Sequence, residues 1–196
     1  MDLLNQLVLR TDASGLPLEW IGFQEAAKLH YLDQVAFSLG HYLYTLHGGI
    51  NAKSGQQSKI EVCSIVATLS QHTAAKIISQ FVPPLNNHTL FKRDNYICLY
   101  CGERYQHKAL SRDHITPISL GGKDKWTNVA TACKRCNNHK AGRTPEQACM
   151  ELIAIPFKPT HAEYIFLQGR NILSDQMDFL RAFFPKKSPL LLRTKV

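Results

Sequence analysis

Four of the six cysteines fall in two pairs, Cys98-x-x-Cys101 and Cys133-x-x-Cys136, with 31 residues between the pairs. Two residues between cysteines let both thiolates face one ion from a tight turn. Two such turns complete the tetrahedral sulfur set that suits structural zinc. A chain that closes this site must return residue 133 to residue 101, so the interval folds as a single excursion. It is longer than in a simple zinc ribbon and long enough for a β-hairpin. Two other uses of the pairs stay open, redox chemistry and free buried thiols. Redox C-x-x-C chemistry uses one pair at a helix start beside a βαβ unit, whereas two pairs are present here. Cys63 and Cys149 have no partner spacing and read as ordinary thiols.

Within the interval, SRDHITPISL is strand-like and ends in Gly121-Gly122, and KWTNVATAC returns to the second pair, where a helix carrying NNHKAG begins near Cys136. Strand, loop, strand and helix put Asp113, His114 and Asn137 within reach of one another, a ready site for a hard metal ion and a base. Charge concentrates in the same window. From His88 to Arg143 there are eleven Lys or Arg against four Asp or Glu, out of a chain excess of +8. An anionic partner is the expectation.

Around this window the chain reads as α+β. Residues 1–85 form a small mixed α/β unit, with strands near Leu7–Leu9 and Leu18–Ile21 and a helix at FQEAAKLHYLD. Separate strands follow at QVAFSL and HYLYTLH, then a loop GGINAKSGQQS and a strand KIEVCSIVATL. HTAAKIISQFV reads as helix or strand, and Pro83-Pro84 stops it. Residues 86–155 hold the zinc-stabilised module, opening with a short Asn-capped helix in NNHTLFKRDNY. Thr144, Pro145 and Gln147 predict a helix over TPEQACMELIA. Residues 156–196 read as a helical tail with a Ser174-capped helix. No apolar run approaches the roughly 20 residues of a bilayer span, and the N-terminal stretch lacks a basic n-region. The expectation is a cytoplasmic protein of bacterial type.

The motifs resemble the HNH endonuclease family, the ββα-metal nucleases, in the version flanked by two C-x-x-C pairs. The matching residues are Tyr96-x-Cys98-x-x-Cys101-Gly102, Asp113-His114 followed by Pro117 and Gly121-Gly122, then Asn128, then Cys133-x-x-Cys136-Asn137-x-x-Lys140. The resemblance implies that His114 is the general base and that Asn128 steadies the loop carrying it. Asn137 takes the third position, where the family name expects His. Asp113 and Asn137 offer oxygen ligands, so the catalytic ion is expected to be Mg2+ or Mn2+, with His139 a less favoured ligand. Lys140 matches the motif and is the first choice for a phosphate contact, ahead of Arg143, Lys134, Arg135 and Arg112. Trp126 reads as hairpin packing rather than a base-stacking platform.

The expectation is therefore a metal-dependent endonuclease that hydrolyses phosphodiester bonds in DNA, with RNA left open as a substrate, and leaves a 5′-phosphate. A double-strand cut would take a homodimer or two visits. The rival reading is a catalytically silent, zinc-stabilised nucleic-acid-binding module. The N-terminal unit has two readings, a substrate-orienting element or a scaffold.

Overall fold

The computed structural model describes residues 5–69 and 81–191. They divide into two compact units, Met1–Phe81 with His161–Val196, and Val82–Thr160.

In the first unit, β1 (Val8–Asp12) and β2 (Pro17–Ile21) form an antiparallel hairpin. Its turn is set by Asp12, whose carboxylate accepts from the Ser14 and Leu16 amides at 2.9 Å. α1 (Phe23–Tyr31) buries Ala26 and Leu29, which stand three apart and so share a helix face. β3 (Val35–Ile50) and β4 (Gln57–Thr68) are antiparallel, β4 lies parallel to β1, and the sheet order is β2-β1-β4-β3. Val8, Ile21, Leu43, Val62 and Val66 pack with the two α1 residues as the core.

The separately expected strands QVAFSL and HYLYTLH are one strand. Its register shifts between Leu39 and Tyr42, where Gly40 has φ +80°. A side chain at Gly40 would overlap the Ser64 hydroxyl and the Asp175 carboxylate, so only glycine admits this close approach. The expected loop shrinks to residues 51–56, because pairing continues to Ile50 opposite Gln57. Of HTAAKIISQFV, residues 72–80 lie outside the described residues.

A separate C-terminal tail is not what forms. α4 (His161–Gln168) and α5 (Ser174–Arg181) belong with the first unit. The Trp20 indole donates to the Ile165 carbonyl at 2.7 Å. Fully buried Gln176 donates to the carbonyls of Leu7 and Ser64, both at 2.8 Å. Ile165, Leu167 and Leu180 are buried as well, each contributing about 1.5–3 kcal/mol. Ser174 is the first helical residue rather than the cap, and the Gln176 side chain accepts from the Leu173 amide instead.

The second unit starts with α2 (Asn87–Arg93), where Asn86 is the cap and accepts from the Thr89 amide at 2.9 Å. β5 (Leu110–His114) and β6 (Val129–Cys133) form a hairpin that leads directly into α3 (Lys134–Lys140). The expected helix over TPEQACMELIA does not form. The Thr144–Gln147 pair closes as a capping box, but Cys149 turns to φ +54° and the Met150 amide returns to the Pro145 carbonyl. The chain then straightens so that the Ile153 amide bonds the Leu99 carbonyl at 2.9 Å. That long-range bond replaces the ones a helix would supply.

Arg93 holds this unit together from within. Its side chain is fully buried, and all five donors of the guanidinium are used: two on Asp94 and one each on the carbonyls of Trp126, Phe157 and Val129. The Trp126 and Phe157 rings flank it at 5.6 Å. Arg93→Met is expected to cost about 3–5 kcal/mol, because it strands the Asp94 carboxylate and three carbonyls in the interior; urea unfolding measures it. No helix among the described residues is long and apolar enough to cross a membrane.

Candidate active site and metal centre

The thiols of Cys98, Cys101, Cys133 and Cys136 lie within 4.8 Å of one another. Among the described residues they are the single group of three or more His, Cys, Asp or Glu side chains so placed. The first pair sits in a knuckle closed by bonds from the Cys98 amide to the Glu103 carbonyl and from the Gly102 amide to the Cys98 carbonyl, both 2.9 Å. Leu99, between these cysteines, donates its amide to the Thr131 carbonyl at 2.8 Å and so fastens the knuckle to β6. Cys133 ends β6, and its sulfur accepts from the Cys136 amide at the start of α3. Burial raises the Cys98 and Cys136 thiols. At Cys133 burial also acts upward, but the Cys136 amide and the neighbouring thiols outweigh it and bring the group down to about 7. A closed, all-thiol set of this kind fits zinc and has no open position for water.

At the other end of the hairpin the residues divide between two faces. Arg112 and His114 are two apart on β5 and share one face; Ser111 and Asp113 share the other. Asp113 is 4% exposed, with one carboxylate oxygen accepting from the Lys140 ammonium at 3.0 Å and the other from the Tyr100 hydroxyl at 2.5 Å. Burial, followed by that bond, pushes the Tyr100 hydroxyl upward and keeps it a donor. Lys140, 1% exposed, also donates to the His114 carbonyl at 2.7 Å. This corrects the expected phosphate contact, since an interior ammonium has no surface to offer one.

The ion expected at Asp113 and Asn137 meets an obstacle at the first of them, not at the Asn137 oxygen. Asp113 is already neutralised by Lys140, and a divalent cation would have to share its carboxylate with that ammonium. Asn137 is half-buried and donates its amide to the Ser111 hydroxyl at 2.8 Å. His139 is exposed on α3 and belongs to no metal-holding group among the described residues.

His114 lies on the accessible face, its side chain 25% exposed. Its Nε2 meets Asp124 Oδ1 at 2.8 Å, while Arg112 Nη1 donates to both Asp124 oxygens at 3.0 and 2.9 Å. Burial acts to raise the Asp124 carboxyl, but bonds from His114 and Arg112 outweigh it and leave the group below the usual carboxylate range. The loop after His114 is pinned by Asn128, which accepts from the Thr116 amide at 3.0 Å and donates to the carbonyls of Thr116 and Lys123 at 3.0 and 2.9 Å. Trp126 is packed at 4% exposure and donates to the Pro83 carbonyl. Lys134 and Arg135 are exposed on α3, and the exposed Arg143 donates to the His139 and Lys140 carbonyls at the end of α3.

Residues 98–153 match the family model described as HNH endonuclease. Over this stretch the chain is similar to HNH endonucleases. The matched segment covers the cysteine site, the hairpin, α3 and the strap that follows. No curated protein matches the chain. Among solved structures, a match is the crystal structure of the Type II-C Cas9 enzyme from Actinomyces naeslundii, at 20% identity and a TM-score of 0.30. It covers 63% of this chain and 15% of that one, so the chain spans a small part of that protein's length.

Sequence reasoning missed Tyr100 and Asp124. Tyr100 stands inside a C-x-x-C pair, and Asp124 is one of just four acids in the basic window. An acid retained in so basic a loop was the available signal.

Proposed function

We propose that the matched segment is a DNA endonuclease in which His114 is the general base that takes a proton from the attacking water. The observation that carries this reading is the placement of His114: at the end of a strand, on the accessible face beside Arg112, with the following loop pinned through three hydrogen bonds of Asn128. A neutral imidazole suits proton removal near neutral pH, and arginine suits a phosphodiester because its fork matches two anionic oxygens. Zinc at the four cysteines anchors the hairpin and takes no part in the chemistry.

Plasmid cleavage tests the reading, run on zinc-loaded protein with EDTA, Mg2+ or Mn2+, beside His114→Ala. Cleavage that needs added metal would restore a divalent cation to the reaction and place its ligands outside the Asp113–Lys140 pair as it stands. The rival, a silent nucleic-acid-binding module, draws on that same locked pair and predicts binding without cleavage under every condition.

Gly122 gives a second test. Its amide bonds the Pro117 carbonyl at 3.0 Å, and a Cβ there would overlap the Thr116 carbonyl, the group that accepts from Asn128. Gly122→Ala is expected to displace the loop beside His114 and lower cleavage by about 10²-fold, the scale of an ångström-sized misplacement. Zinc content should stay at the wild-type level. Full activity in this variant would detach the loop from the chemistry.

A further inference from the structure

We propose that Arg112 and His114 form a seat for a phosphate of the substrate strand, and that Asp124 fills this seat until nucleic acid displaces it. The inference rests on the nuclease reading for the identity of the anion, and it goes further by naming where that anion binds.

The seat is built before any ligand arrives. Arg112 Nε donates to the Asn87 side-chain oxygen at 2.9 Å, which fixes the guanidinium against α2. Nη1 is then aimed at both oxygens of Asp124, and His114 Nε2 completes the contact from two residues along the same strand face. Three hydrogen bonds therefore converge on one carboxylate. A carboxylate and a phosphodiester present the same feature to such a group, two oxygens sharing one negative charge.

Two acids of the unit are treated differently, and the contrast supports displacement. Asp113 is buried and shared between Lys140 and Tyr100. Asp124 has its side chain 50% exposed, in the loop that follows Gly121, whose φ is +83°. An exposed ion pair of this kind is worth no more than about fivefold in an equilibrium constant. A polyanion that also meets Lys123 and Lys125, the exposed neighbours of Asp124 in its loop, outcompetes it through several phosphates at once.

The test is binding of a fluorescent DNA duplex to the zinc-loaded full chain, followed by anisotropy without added divalent ion. Asp124→Asn keeps the shape and removes the charge, and is expected to bind about two- to fivefold more tightly. Arg112→Gln is expected to bind more weakly, with a salt slope reduced by about 1. The double variant should lose the gain of Asp124→Asn, because the freed seat no longer has its arginine. Asp124→Ser with unchanged melting guards against an effect peculiar to asparagine. Unchanged or weaker binding by Asp124→Asn would overturn the proposal, and so would a gain that persists undiminished in the double variant, since that marks general electrostatics. Turnover is not needed for this readout. A protein that shows the pattern but cuts in no metal keeps the seat and loses the nuclease reading; one that cuts but lacks the pattern keeps the reading and loses the seat.

Discussion

Cys101→Ser is expected to leave the second unit without its zinc and without a cooperative unfolding transition. The four thiols come from two places, a knuckle before the hairpin and the junction of β6 with α3, which the Leu99–Thr131 bond alone would hold weakly. The unit is small, and its interior includes the paired polar groups Arg93, Asp94, Asp113 and Lys140. Apolar burial alone is marginal at this size. Structural zinc contributes on the order of 10–16 kcal/mol of apparent binding energy, and that energy is folding energy. Calorimetry beside zinc analysis decides the matter, and prolonged exposure of the wild type to a strong chelator should reproduce the variant. Full zinc content with unchanged melting in Cys101→Ser would remove the structural assignment.

His114→Ala is expected to do the opposite, sparing the fold and removing the chemistry. The side chain is partly exposed, and its hydrogen-bond partner is Asp124, so the stability change should stay within about 1 kcal/mol. Loss of a general base lowers turnover by about 10²–10⁴-fold. Zinc content and melting should match the wild type. Cleavage at the wild-type rate would exclude His114 as the base.

Much of the second unit was legible because its signals are local or tied to a spacing: the two C-x-x-C turns, the hairpin between them, the Asn86 cap and the glycines of the loop. Asp113 lies deeper than its place beside His114 suggested, for a physical reason. Asp113-His114 looks like a pair in one dimension, yet consecutive residues of a strand point to opposite faces, so one went to the interior and the other toward solvent. Lys140 followed Asp113 inward, across 27 residues of sequence. The helix expected after Thr144 carried a correct start signal, but a bond to Leu99 overrode it. Likewise the C-terminal segment has helix-forming residues that say where it coils, whereas only Gln176 and Ile165 in place show what it packs on.

The β5–β6 ladder pairs Leu110 with Cys133 at one end and His114 with Val129 at the other. Four residue steps separate the cysteine site from the histidine, roughly 13 Å at the usual rise of a strand. The hairpin is thus a ruler with the four-thiol site at one mark and an imidazole at the other. Cobalt bound at the four thiols would set a paramagnetic centre at a known distance from His114, and a change in the broadening of that imidazole signal when DNA is added would report movement of the ring.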